Sequence, residues 1–128
     1  MIRVLIDTDI FIDFLRGIET AKRIFEEDII NEKIIAFSSV ISEAELFSGK
    51  ECKYTEKRRA VEELISLTNK IEVDSQVAKK AGEFRRIFKT PLTDSLIAAT
   101  AHKINAILYT RNVKHYEKIK EIKLKIPY

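Results

Sequence analysis

Four short stretches of this chain set a carboxylate, or its near-isostere, where a strand-like apolar run gives way to a turn or a helix. They are Val4-Leu5-Ile6-Asp7-Thr8-Asp9, Ser42-Glu43-Ala44-Glu45-Leu46, Thr93-Asp94-Ser95-Leu96 and Tyr109-Thr110-Arg111-Asn112. No nitrogen or sulfur cluster accompanies them. The 2 histidines, His102 and His115, lack neighbours at catalytic or metal spacing and read as surface or satisfied core residues. The single Cys52 has no second cysteine to pair with and reads as a surface or half-buried thiol. Carboxylates that converge without His or Cys suit a hard cation such as Mg²⁺ or Mn²⁺. Such an ion polarises a phosphoryl oxygen and activates water, so phosphate-ester chemistry is the leading expectation.

Each acid also has a purely structural role open to it. Asp7 follows a buried strand directly and is suited to start the next helix, although Asp9 could serve as the cap equally well. Ser42-Glu43-Ala44-Glu45 fits a capping box, in which serine hydroxyl and glutamate carboxylate satisfy free N–H groups of the first helical turn. Glu43 and Glu45 lie about 200° apart on a helix and cannot both face one pocket. Asp94 opens a helix, where an acid complements the macrodipole. Ala98 and Ala101 share its face, however, and let that face approach a site closely. Asp74 reads as an N-cap and nothing more.

The elements that must position these acids alternate in type. Residues 2–6 are apolar except for Arg3, as expected of a strand buried on both faces. Ile10, Phe11, Phe14 and Leu15 form a helical stripe that Gly17 closes. A second helix is expected over residues 20–30, a strand over 33–37, and then a helix ended by Gly49. The pattern continues as a helix over 55–67, a strand over 70–73 and a helix over 74–88. A small-residue helix from Thr93, a strand over 106–109, a helix over 113–119 and an edge strand over 123–126 complete it. Strands alternating with helices imply a parallel sheet covered on both faces. Ligands of such sheets gather beyond the carboxyl ends of central strands, where strand order reverses. Asp7 and Asn112 fall at such ends.

A chain of 128 residues suffices for one core and is too short for two, so residues 1–128 are expected to form a single domain. The balance of 45% hydrophobic and 34% charged residues excludes a disordered chain. The acid at position 7 comes too early for a signal-peptide core, and no apolar run is long enough to cross a bilayer, so a cytoplasmic location is expected. A net charge of +3 is mild. Its distribution says more: Lys57-Arg58-Arg59, Lys79-Lys80, Arg85-Arg86 with Lys89, and residues 114–125 are locally basic. Any one of these reads as a solvated helix face. An acidic pocket ringed by them is what a polyanion needs in order to approach.

Taken together, the motifs resemble those of PIN-domain ribonucleases, most closely the VapC-type toxins of toxin–antitoxin pairs, over nearly the whole chain. The opening strand and first acid are similar in 4–12, the second motif in 39–42 with Glu45-Leu46-Phe47-Ser48-Gly49, the third in 93–101 and the fourth in 108–116. The resemblance favours Glu45 over Glu43. It implies an α/β/α sandwich with a central, mostly parallel sheet, and a Mg²⁺- or Mn²⁺-dependent endoribonuclease leaving a 5′-phosphate and a 3′-hydroxyl. It also implies homodimerisation and neutralisation by a small antitoxin. Asp7, Glu45 and Asp94 would be the catalytic and metal-ligating acids, with Thr110 and Asn112 in support. Arg111, Lys79, Arg85 and Arg86 would hold the RNA backbone. In one respect the chain departs from the pattern. Family members often carry a fourth acid after Thr-Arg or three positions further on, where this chain has Asn112 and His115. Two other readings stand beside this one: a PIN-like protein that binds RNA or a partner without cutting, and a phosphatase using Asp7 as a covalent nucleophile.

Overall fold

The computed structural model describes all 128 residues. Strand β1 (Ile2–Ile6) lies at the centre, with Val4, Leu5 and Ile6 fully buried. Strands β2 (Ile34–Ser39), β3 (Asn69–Ile71), β4 (Ile107–Tyr109) and β5 (Lys123–Lys125) complete one sheet in the order β3-β2-β1-β4-β5. Every neighbouring pair is parallel, with Val4 opposite Ala36 on one side and Leu5 opposite Leu108 on the other. The expected mostly parallel sheet is therefore wholly parallel.

Side chains alternate across each strand and so divide the core in two. Val4, Ile6, Ala36 and Tyr109 pack with Ile10, Phe11, Phe25, Leu46 and Leu64 on one face. Leu5 and Leu108 pack with Phe84, Ile97, Ala98, Ala101 and Tyr116 on the other. Helices α1 (Thr8–Leu15), α2 (Glu19–Arg23), α3 (Val40–Phe47) and α4 (Thr55–Ser66) supply the first layer. Helices α5 (Ser75–Phe88), α6 (Leu92–Ile104) and α7 (Val113–Tyr116) supply the second, giving a three-layer α/β/α sandwich.

Local details depart from the sequence pattern where contacts from elsewhere decide. The helix expected over residues 20–30 is α2 followed by a π-helical turn, Ile24–Ile29, which an apolar stripe alone does not register. Phe25 in that turn packs on Phe11 and Phe14 at ring separations of 5.3 and 5.2 Å. Strand β2 runs on to Ser39 because Ser38 and Ser39 pair with Lys70 and Ile71 of β3. Cys52 is buried, its thiol donating to the Leu46 carbonyl at 3.3 Å, rather than a surface or half-exposed group. Gly17 ends α1 in the left-handed region, with φ at +81°, as its position suggests.

Two features of the fold create the site. The chain lays down β1, β2 and β3 outward on one side and then returns to place β4 and β5 on the other. A crevice therefore opens beyond the carboxyl ends of β1 and β4. Helices α5 and α6 form a hairpin whose short turn, with Lys89 left-handed at φ 57°, sets the last turn of α5 beside the first turn of α6. Ala98, Ala99 and Ala101 are each at most 1% exposed, so α6 packs close, as its small residues predict.

Candidate active site

Asp7 is the first residue past β1, and its N–H still pairs with the Tyr109 carbonyl at 3.0 Å. It is also the N-cap of α1, so the capping role does not exclude a place in the crevice. Its Oδ1 accepts from the Thr8 N–H at 2.8 Å. Its Oδ2 accepts from the Thr110 hydroxyl at 2.8 Å and from the Tyr116 hydroxyl at 3.1 Å. Asp7 is only 5% exposed. Burial pushes its carboxyl from 3.8 up to about 7, and the charge of Asp9 adds to this against the hydrogen bonds from Thr110, Thr8 and Tyr116.

Asp9, the alternative cap, takes a different place. It sits inside the first turn of α1, where its Oδ2 accepts from the Arg111 N–H at 2.8 Å. Its Oδ1 is buried without a partner. Burial raises its carboxyl also, chiefly against the Arg111 N–H bond.

Asp94 lies in the first turn of α6, with Oδ1 accepting from the Tyr116 hydroxyl at 3.2 Å. Its Oδ2 is 3.0 Å from Nδ1 of His115. The reading of His115 as a residue without a partner is thus corrected: they lie 21 positions apart in sequence, and α7 brings them together across α6. His102 stays exposed, edge-on to Phe84 at 6.3 Å.

Glu45 reaches the same crevice from α3. That helix begins at Val40 with Ser39 as its cap, the Ser39 hydroxyl accepting from the Ile41 N–H at 3.0 Å. Ser42-Glu43-Ala44-Glu45 is therefore not a capping box, because it starts inside the helix. The Ser42 hydroxyl instead meets the Thr8 hydroxyl at 2.8 Å, and Thr8 donates to Glu45 Oε1 at 2.7 Å. Glu43 turns away to Lys70 at 2.8 Å. Asp74 caps α5 through the Val77 N–H at 2.9 Å and pairs with Lys103, the bland role expected of it.

The supporting residues divide. Thr110, fully buried, donates to Asp7 and accepts from the Asn112 N–H at 3.0 Å. Asn112 thus touches the site through its backbone, and its exposed side chain makes no capping bond to α7. The Arg111 guanidinium sits over the Tyr128 ring at 5.0 Å and 3.5 Å from Asp13, at the rim. Arg85 and Arg86 are exposed on the last turn of α5, the end adjoining Asp94, with Arg85 donating to the Thr90 carbonyl at 3.2 Å. Lys79 lies towards the other end of the hairpin, in a groove with Gln76, Lys80, His102 and Lys103. It is not brought to the acids.

Sequence reasoning missed Thr8 and Ser42, whose only signal was a hydroxyl close to a motif acid, and Tyr116, which had no such signal. The arrangement amounts to oxygen donors with a charge deficit. Asp7 is buried with no ion-pair partner, and Asp9 beside it holds an orphaned oxygen. No three His, Cys, Asp or Glu side chains are arranged to hold an ion between them. Two carboxylates joined through one hydroxyl, with a third held on the neighbouring residue, suit a cation that keeps much of its water.

Comparison with known proteins agrees with this architecture. A PIN domain model matches residues 4–121. The chain is 32% identical over 125 residues to Ribonuclease VapC10 of Mycobacterium tuberculosis, covering 94% of this chain and 90% of that protein. It superposes on a chain of a toxin–antitoxin complex from Klebsiella pneumoniae with a TM-score of 0.79 at 29% identity, covering 98% of each. VapBC2 from Rickettsia felis, bound to a DNA fragment from its promoter, shares the fold at a TM-score of 0.80 and 20% identity, with 97% and 98% covered.

Proposed function

Because this chain belongs to the PIN domain family, we propose that it is an endoribonuclease, the toxin of a toxin–antitoxin pair, whose chemistry depends on a divalent cation. The observation that carries the reading is Asp7, a carboxylate buried at the switch point of the sheet and tied to Asp94 through one hydroxyl. Asp7 and Asp94 would hold Mg²⁺ or Mn²⁺, with Glu45 engaging it through water. When bound, the ion would polarise the phosphoryl oxygen and make a water nucleophilic at neutral pH.

The protein's own groups prepare that chemistry. The Thr8 N–H, Thr110 and Tyr116 fix the Asp7 carboxylate and leave Oδ1 with a free lone pair. Thr8 and Ser42 orient Glu45. Arg111, Arg85 and Arg86 flank the crevice and would hold the RNA backbone. A groove lined by Ile12, Leu15, Leu46 and Val61 with Arg16 and Lys57 runs up to Glu45, and a small antitoxin seated there would reach the acids. The active unit would be a homodimer.

Cleavage of a generic RNA that requires Mg²⁺ or Mn²⁺, and is lost in Asp7→Asn purified identically, tests the reading. RNA binding without cleavage would instead favour the non-cutting protein. Trapping of a beryllofluoride adduct on Asp7 would favour the phosphatase.

A further inference from the structure

The resemblance leaves a gap where a fourth acid is often found, and neither Asn112 nor His115 fills it with negative charge. The group that reaches between the remaining acids is the hydroxyl of Tyr116, 3.1 Å from Asp7 Oδ2 and 3.2 Å from Asp94 Oδ1. We infer that Tyr116 is a positioning residue whose hydroxyl sets the separation of Asp7 and Asp94 for cation binding. The inference rests on the metal-dependent reading of the same site.

Three observations carry it. First, the ring has no exposed surface and is packed among Leu5, Ala98, Leu108 and Ile119, so the hydroxyl is held where it is. Second, the two carboxylates arrive on different elements, Asp7 after β1 and Asp94 on α6, and no direct bond joins them. Tyr116, on α7, is the atom-level link. Third, the donor count steers the free lone pairs. Asp7 Oδ2 accepts from Thr110 and shares the single Tyr116 proton with Asp94, while Oδ1 keeps one acceptor site beside the Thr8 N–H. Tyr116 occupies Oδ1 of Asp94, and His115 lies at Oδ2. The hydroxyl has one proton for two acceptors, so its long contacts are shared rather than committed to either acid.

Tyr116→Phe keeps the ring and deletes only the link. Mn²⁺ alone, titrated calorimetrically into metal-free protein, should bind Tyr116→Phe about 10- to 100-fold more weakly than wild type, the usual effect of losing an orienting partner. KM for RNA should change little, and kcat should recover towards wild type as Mn²⁺ is raised, which a merely structural defect would not do. If the variant is too unstable for calorimetry, the rise of its melting temperature with Mn²⁺ concentration gives the same comparison. Equal or tighter Mn²⁺ binding by folded Tyr116→Phe overturns the inference alone. No Mn²⁺ binding by wild type overturns it together with the metal-dependent reading.

Discussion

Asp7→Asn should stabilise the metal-free protein, and by an amount that depends on pH. Burial raises the Asp7 carboxyl from 3.8 to about 7, with Asp9 adding to the rise. An acid raised in the folded state binds a proton more readily there than in the unfolded chain. Below the unfolded value both states are protonated and the burial costs nothing. As pH climbs from about 4 through about 7, the folded protein must either keep the proton or bury the charge, and stability falls. A rise of about three units corresponds to about 4 kcal/mol at the top of that window. Asparagine carries no charge to bury, but its amide nitrogen replaces one acceptor of the bonds from Thr8, Thr110 and Tyr116, costing about 1–3 kcal/mol. The variant should therefore exceed wild type by about 1–3 kcal/mol at pH 8 and lose that advantage by pH 4. Urea unfolding in chelator from pH 4 to pH 9 measures the difference directly. Added Mg²⁺ should then stabilise wild type and leave the variant nearly unchanged. A stability difference that stays flat with pH, or a variant less stable at pH 8, would refute the reasoning that Asp7 is a charge awaiting a cation.

Further outcomes follow from the same contacts. Glu45→Gln should be inactive in the nuclease assay yet as stable as wild type, because Ser39 and not Glu45 caps α3. Glu43→Gln should stay active and lose at most about 0.5 kcal/mol, since its pair with Lys70 is half exposed. Thr110→Val removes the donor to Asp7 and the acceptor for the Asn112 N–H, and should lower the unfolding free energy by about 1–3 kcal/mol as well as activity. RNA affinity should fall as salt rises, with a shallower slope in Arg85→Glu and Arg86→Glu but not in Lys79→Glu, which sits away from the acids. An equal effect at Lys79 would mean that the RNA path runs along the α5–α6 groove instead.

The alternation of strands and helices was legible in the sequence, because buried strands and amphipathic helices carry local periods in their side chains. Also legible there were two acids at element starts, Asp7 after an apolar run and Asp94 at the head of a helix of small residues. Helix α5 and not a strand precedes Asp94. Local pattern fails where a role depends on a partner far along the chain. Ser42 to Glu45 has the spacing of a cap, yet the helix starts three residues earlier, and only the meeting with Thr8 gives Glu45 its direction. Glu43 and Glu45 are alike in sequence until Lys70 takes one of them. Asp7 and Asp9 are alike until burial claims one wholly and the Arg111 backbone takes the other. Tyr116 and His115 carry no local signal at all. Their partners lie about 20 and 109 positions away, and a hydrogen bond over such a span exists only once the sheet has ordered its strands and closed α7 over the crevice.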